Sequence, residues 1–247
     1  MPPQRAQTNF NESEWADPER AGYYRDTADH YIVDRQMHLF ILQSFYRFYL
    51  AGREQVHLLD LGCGDGVLTQ ALLAVDPTIQ ATLLDGAKDM IKAAQVRLED
   101  HPGMTFIHQQ FDEFTAERST QERYDLVVSS FAIHHLYLDE KVALFRAILR
   151  QLKPGGAFLN IDTVLSDSPI FETWYRELWQ EWISQRQERL QLDEDYTGIP
   201  EEARMNPDNK LSTLSSQLEA LKSVGFVDVG RHYQNGVFAI FGGRKST

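Results

Sequence analysis

The stretch HLLDLGCGDGVL, His57 to Leu68, sets an apolar run directly against three glycines spaced Gly62-x-Gly64-x-Gly66, with Asp60 and Asp65 beside them. A glycine-rich turn after a strand lets the backbone adopt positive φ and come close to an anionic or nucleotide-like ligand. Three ligand classes compete for such a turn. A phosphate loop needs a Lys and a Ser or Thr after its last glycine, and here Val67 and Leu68 follow Gly66. A dinucleotide fingerprint needs glycine or alanine three positions after the second glycine, and Val67 stands there. A nucleoside site of another kind remains. Asp85 ends the next strand-like run, where an acidic side chain can accept from a ribose diol.

Outward from this stretch, strand-like and helix-like runs alternate. Strands are expected at Val56–Leu61, Ala81–Asp85, Met104–Gln109, Tyr124–Ser130 and Gly156–Thr163, several of them nearly continuous apolar runs, as in strands buried on both faces. LTQALLAV, AKDMIKAAQVRLED and EKVALFRAILRQL carry helical spacing between them. This implies right-handed crossovers, a parallel sheet and helices on both faces. KPGG, Lys153–Gly156, reads as the stop of the helix feeding the fifth strand. FVDVGRHY and GVFAIFGG, joined through Gln234, Asn235 and Gly236, read as a closing antiparallel hairpin.

Two aromatic helical stretches lie outside the alternation. Ile170 to about Leu192 puts Phe171, Trp174, Tyr175, Leu178, Trp179, Trp182 and Ile183 at helical spacing, and MHLFILQSFYRFYL, ending before Gly52, does the same near the N-terminus. Such faces pack into cores; a lid over the carboxyl edge of the sheet is the compatible functional reading. The division that follows is a helical cap over 1–52 and a main domain over 53–247, with a lid insertion at about 168–210.

The chain has 247 residues, 43% hydrophobic, enough for one α/β core with an insertion. Lys and Arg total 24 against 36 Asp and Glu, a net charge of −12, which argues against a nucleic-acid backbone as main partner. The single cysteine, Cys63, excludes an internal disulfide. The first twenty residues are polar, and no stretch has the length and hydropathy of a membrane span. A cytoplasmic protein without membrane or nucleic-acid partners is expected.

The glycine loop, LLDGAKDMI, HQQFDEF, YDLVVSSFAIHHL and LKPGGAFLNID follow one another in the order and spacing of the class I S-adenosylmethionine-dependent methyltransferases, which this chain resembles from about Val56 to Asp162. LEALKSVGFVDVGRHYQNGVFAIFGG is similar to that family's last helix and hairpin. The resemblance implies a Rossmann-like fold, with a seven-stranded mostly parallel sheet, and S-adenosylmethionine as cofactor. It implies that the backbone at Gly62 and Gly64 approaches the methionine moiety, with Asp60 favouring its ammonium or orienting the loop. Asp85 would accept from the ribose hydroxyls, or cap the following helix. Gly86 and Met90 would line the adenine edge, with Phe111 as its apolar flank and Asp112 accepting from its amino group. Ser130 and Phe131, also on the cofactor side, would sit where its methionine end faces the acceptor.

Methyl transfer from a sulfonium is an in-line displacement that depends on alignment and exclusion of water. A base is needed only for a protonated nucleophile, and His134 and His135 are the candidates, beside Asp162 and Thr163; their alternative role is packing or capping. Adjacent histidines do not aim both rings at one ion, so no metal is expected. The accessory segments are also similar to those of the carboxy-S-adenosylmethionine synthases, which implies that Arg204 holds an added carboxylate. At the N-terminus, Asp34–Met37 reads DRQM where that branch has a Pro-Gly-Tyr turn. The leading expectation is a methyltransferase for a small-molecule acceptor. A cofactor-modifying synthase and a non-catalytic cofactor-binding regulator are the alternatives, and a homodimer is left open.

Overall fold

The computed structural model describes residues 10–117 and 123–247. Among them seven strands form one sheet: β1 (His57–Leu61), β2 (Gln80–Asp85), β3 (Met104–His108), β4 (Tyr124–Ser130), β5 (Leu152–Thr163), β6 (Val227–Asn235) and β7 (Phe238–Arg244). Their order is β3-β2-β1-β4-β5-β7-β6. The first five pair in parallel, and β7 runs antiparallel to both β5 and β6. The chain therefore builds outward from β1 to β3, then returns to place β4 on the other side of β1. That reversal opens a crevice at the carboxyl ends of β1 and β4, where open α/β sheets bind ligands.

The apolar runs are continuous because both faces are covered. Leu58 points into a core with Leu42, Tyr46, Leu72 and Ile91, supplied by α2 (Arg35–Tyr49), α3 (Val67–Leu73) and α4 (Lys88–Arg97). Leu59 and Leu61 point the other way, to Leu144, Ile148 and Leu221 of α6 (Leu138–Gln151) and α9 (Leu214–Val224). The period-two alternation of a strand thus feeds two separate cores.

Several boundaries differ from the sequence reading. The helix α6 stops at Gln151, and KPGG lies within β5, as an irregular bulge where Tyr124 pairs with Leu152 but Leu126 pairs with Ala157. The hairpin turn is Gly236-Val237, with Gly236 at φ +55°, since Asn235 still pairs with Phe238. Three helices carry no apolar period long enough to read: α1 (Pro18–Tyr31), α5 (Phe111–Ala116) and α8 (Ile199–Met205). Asp17 accepts from the Glu19 amide at 2.9 Å and Pro18 follows it, so α1 is announced by its cap instead. Residues 1–9 of the expected helical cap lie outside the described residues.

The long aromatic helix is α7 (Pro169–Leu190), and the expected face is divided along it. Trp179 and Ile183 are buried with Ala28, Tyr31 and Phe238 in a third cluster, and Trp179 Nε1 donates to the Tyr31 carbonyl at 2.6 Å. Phe171 and Trp174 remain 51% and 52% exposed.

The β1–α3 loop sets the geometry of the crevice. The Gly62 and Cys63 amides both donate to the Leu84 carbonyl, at 2.8 and 3.0 Å. Gly62 has φ +68°, and a Cβ there would clash with Ala132 and stand 3.0 Å from the Phe111 ring. Gly64, at φ +53°, faces open space. Asp60 lies beneath the loop, buried, with its Oδ2 accepting from Thr69 Oγ1 at 2.7 Å.

The two glycines separate backbone strain from crowding. Gly64→Ala should cost about 1–2 kcal/mol, the left-handed conformation alone. Gly62→Ala should cost roughly 1–3 kcal/mol more, from overpacking; equal losses in urea unfolding would remove the packing argument.

Burial pushes the Asp60 carboxyl up to about 7 from 3.8. A carboxyl whose folded value is raised holds more protons folded than unfolded, so its contribution to stability falls as pH rises from about 4 to about 7. The slope is at most about 1.4 kcal/mol per pH unit. His38, lowered by burial to about 4 from 6.5, acts in the opposite sense over the same window, so the comparison must be with Asp60→Asn. Wild type minus Asp60→Asn should show the falling slope; a flat difference would place Asp60 as an ordinary ionised carboxylate.

Candidate active site

A cavity of about 560 Å³ lies at the carboxyl ends of β1, β2 and β4. Its floor is the glycine loop, through Gly62 and Gly64. One side comes from the end of β2 and the start of α4, through Asp85, Gly86 and Met90, and from α5 through Phe111 and Asp112. The other comes from the end of β4 and the helical turn Ile133–His135, through Ser130, Phe131 and His135. Ten of the residues singled out from the sequence are thereby brought to one wall.

Asp85 is the connection between the loop and β2. Its Oδ2 accepts from the Gly64 amide at 2.8 Å and its Oδ1 from the Ala87 amide at 2.7 Å. Each oxygen keeps further acceptor capacity. Burial raises its pKa, against the lowering effect of those two amides. Both roles foreseen for it, ligand acceptor and helix-start anchor, are available to one carboxylate.

Phe131 closes β4 in the left-handed region, at φ +50°. For a bulky residue this is strained by about 1–2 kcal/mol. Its amide donates to the Ile161 carbonyl at 2.9 Å, and its ring packs edge-on to Phe238 at 6.0 Å, so backbone and side chain are both held. The strain turns the chain out of the sheet and onto the cavity wall.

Three expected site residues do not reach the wall. Asp60 is beneath the loop, bonded to Thr69. His134 turns inward, its Nδ1 2.5 Å from Asp162 Oδ1, while Asp162 also accepts from the Thr163 amide and Asn160 Nδ2. Arg204, on α8 (Ile199–Met205), is 46% exposed and its Nε stands 3.9 Å from Glu172 Oε1. Because α8 docks against α7, the Arg204 guanidinium faces that helix and is not among the described residues lining the cavity.

The roof was not legible in the sequence. It comes from two short helical turns, Phe10–Glu12 and Glu14–Ala16, through Phe10 and Trp15, joined by Tyr24 of α1. The Phe10 ring covers Gly86, where a Cβ would come within 2.9 Å, and Trp15 meets Tyr24 edge-on at 5.1 Å. Asp208 and Lys210 complete the wall, with Tyr137 and Glu140 at the start of α6. Asp208 Oδ2 accepts from the Glu14 amide at 2.8 Å, and Asn206 Nδ2 donates to Glu14 Oε1 at 2.7 Å. Of the expected lid insertion, only Asp208 and Lys210 line the cavity among the described residues; α7 contributes none.

Lys141, fully buried, donates to the Lys210 carbonyl at 2.9 Å and Ser212 Oγ at 3.0 Å. Burial lowers its pKa to about 8 from 10.5. It anchors the 206–212 loop from below, as the Lys210 amide does by donating to the His134 carbonyl at 2.8 Å.

Residues 58–156 match the family described as Methyltransferase domain. The malonyl-[acyl-carrier protein] O-methyltransferase 1 of Ilyobacter polytropus is 28% identical over 109 residues, 44% of this chain and 38% of that protein. The carboxy-S-adenosyl-L-methionine synthase of Trichodesmium erythraeum is 28% identical over 178 residues, 70% of this chain and 66% of that protein. The matches to malonyl-[acyl-carrier protein] O-methyltransferases span 37% to 39% of those proteins' lengths. An O-methyltransferase family protein from Burkholderia thailandensis shares the fold, with a TM-score of 0.69 at 16% identity over 96% of this chain and 63% of that one. No helix among the described residues is long and apolar enough to cross a membrane. The glycine loop tied to an acidic β2 end, at the reversal of this strand order, thus lies in the segment, residues 58–156, that matches a methyltransferase domain.

Proposed function

We propose that the protein transfers a methyl group, by in-line displacement, from S-adenosylmethionine to a small-molecule acceptor inside the 560 Å³ cavity. The observation that carries this reading is the position of Asp85: its carboxylate lies at the cavity wall, fixed by the Gly64 and Ala87 amides, with acceptor capacity left over. The donor set suits a nucleoside. Asp85 and Asp112 are acceptors for hydroxyl and amino groups, while Ala87, Met90 and Phe111 are an apolar slot for a flat base. The cofactor supplies a methyl group on a sulfonium. In this reading Asp85 holds the ribose, Gly62 and Gly64 let the backbone approach the methionine end, and Asp112 accepts from the adenine. Phe131, with Trp15 and Tyr24 above it, excludes water from the reacting atoms.

The relatives named above act on different substrates, and the charged groups of the cavity favour one reading. A synthase that holds an added carboxylate, or an enzyme for a malonyl group, calls for a cation at the site. Lys210 is the one Lys or Arg among the described lining residues, its Nζ donates to the Pro207 carbonyl, and Arg204 lies elsewhere. Methyl transfer to an acceptor without a carboxylate is favoured over both.

S-adenosylhomocysteine at about one hundred times its dissociation constant should stabilise the protein by about 2.7 kcal/mol, and NAD should not. Asp85→Asn keeps the shape of the side chain and removes its charge, so its affinity for S-adenosylhomocysteine should fall at least tenfold, by about 1.5–3 kcal/mol. Unchanged affinity by calorimetry in a folded variant would rule out Asp85 as the ribose acceptor.

A further inference from the structure

Two ring nitrogens of residues lining the cavity have no partner among the described residues. Trp15 Nε1 and His135 Nε2 are both buried and unbonded, both residues line the cavity, and their rings meet edge to face with centroids 5.5 Å apart. They arrive from opposite sides, Trp15 in the turn Glu14–Ala16 of the roof and His135 in the turn after β4. Asp208 holds both in place: its side chain accepts from the Glu14 amide and its carbonyl faces the His135 ring.

The two nitrogens have opposite hydrogen-bonding roles. An indole N–H only donates. His135 Nδ1 stands 3.2 Å from the Asp208 carbonyl oxygen, which only accepts, so that bond assigns the proton to Nδ1 and a lone pair to Nε2. Burial pushes the imidazolium well below its usual range, which keeps the ring neutral. Trp15 and His135, both lining the cavity and in ring contact, thus carry one donor and one acceptor, each shielded from solvent and each unsatisfied by the described residues until a ligand arrives.

We propose that this pair recognises a neutral hydroxyl on a flat apolar acceptor, and that the protein methylates the oxygen of phenol- or enol-type hydroxyls. The proposal rests on the methyl-transfer reading above. A hydroxyl satisfies both nitrogens at once: its O–H donates to His135 Nε2, one oxygen lone pair accepts from Trp15 Nε1–H, and the second lone pair is free to attack. An amine has a single lone pair, so accepting from Trp15 leaves nothing to react. A carboxylate has no proton for Nε2 and meets Glu140 and Asp208 on the same wall. In the transfer step the hydroxyl oxygen forms the new O–C bond, and the donor's S–C bond breaks with its electron pair left on sulfur. The hydroxyl proton passes to His135 Nε2, and the imidazolium is held through Nδ1–H by the Asp208 carbonyl until solvent takes the proton. A weakly basic imidazole suits an acidic hydroxyl better than an alkanol, and Tyr24, Phe131 and Trp15 supply flat apolar surface.

Naphthol, naphthylamine and naphthoate present the three functional groups on one ring system. Each is titrated into the protein loaded with S-adenosylhomocysteine, and each is incubated with S-adenosylmethionine while methylated product is followed by mass spectrometry. Naphthol should bind at least about tenfold more tightly than the other two and gain its methyl on oxygen. His135→Gln should slow that transfer by about a hundredfold or more, and Trp15→Phe, which keeps the ring and removes the N–H, should raise KM for naphthol about tenfold; neither should alter affinity for S-adenosylhomocysteine. Preference for the amine or the carboxylate overturns the proposal. So does failure of all three to bind a protein that binds S-adenosylhomocysteine, or a naphthol preference that survives in both variants. A protein that fails to bind S-adenosylhomocysteine instead overturns the methyl-transfer reading itself.

Discussion

The Gly64 amide donates to Asp85 across the gap between the β1 loop and the end of β2, and most of the site depends on that one bond. It holds the loop in the conformation that only glycine takes easily, and it fixes the carboxylate that the loop and α4 share. Burial raises the cost of ionising Asp85, so the two amides are what keep a charged acceptor tenable there. The sheet supplies the rest of the constraint. Because β1 lies between β2 and β4, the glycine turn, the acidic strand end and the strained Phe131 all emerge at one edge.

Beyond that edge the structure is closed by chain that is remote in sequence. The roof near Trp15 and the loop near Asp208 are joined by the bonds between Glu14, Asn206 and Asp208. Beneath that loop, Lys141 takes the place of a hydrophobic anchor and satisfies two oxygens that burial would otherwise strand. The long aromatic helix α7 does a different job. It buries Trp179 and Ile183 against α1 and β7 and so supports the segment that carries the roof, while forming no part of the wall itself.

This division explains what was legible in the sequence. The strands could be read because each is covered on both faces, as Leu58 and Leu59 show by feeding opposite cores. The near half of the wall could be read because Gly62, Gly64, Asp85, Met90, Asp112 and Phe131 sit in short motifs at the strand ends. Trp15, Tyr137, Asp208 and Lys210 carry no local pattern; they become neighbours only through tertiary packing, and Trp15 lies in a stretch whose composition is polar. Helical spacing identified α7 correctly but could not say which surface it would meet. Two adjacent histidines read alike in sequence, yet one faces Asp162 in the interior and the other faces the cavity. The turn that holds them rotates the rings apart, and no spacing rule records that.

The central claim is that the carboxylate bridging Gly64 and Ala87 also holds the ribose of S-adenosylmethionine. A crystal structure of the complex with S-adenosylhomocysteine tests it most directly. Both ribose hydroxyls are expected within hydrogen-bonding distance of Asp85, with its bonds to the two amides preserved and the base between Met90 and Phe111. A nucleoside bound elsewhere, or one in this cavity that leaves Asp85 bonded to the two amides alone, would contradict it.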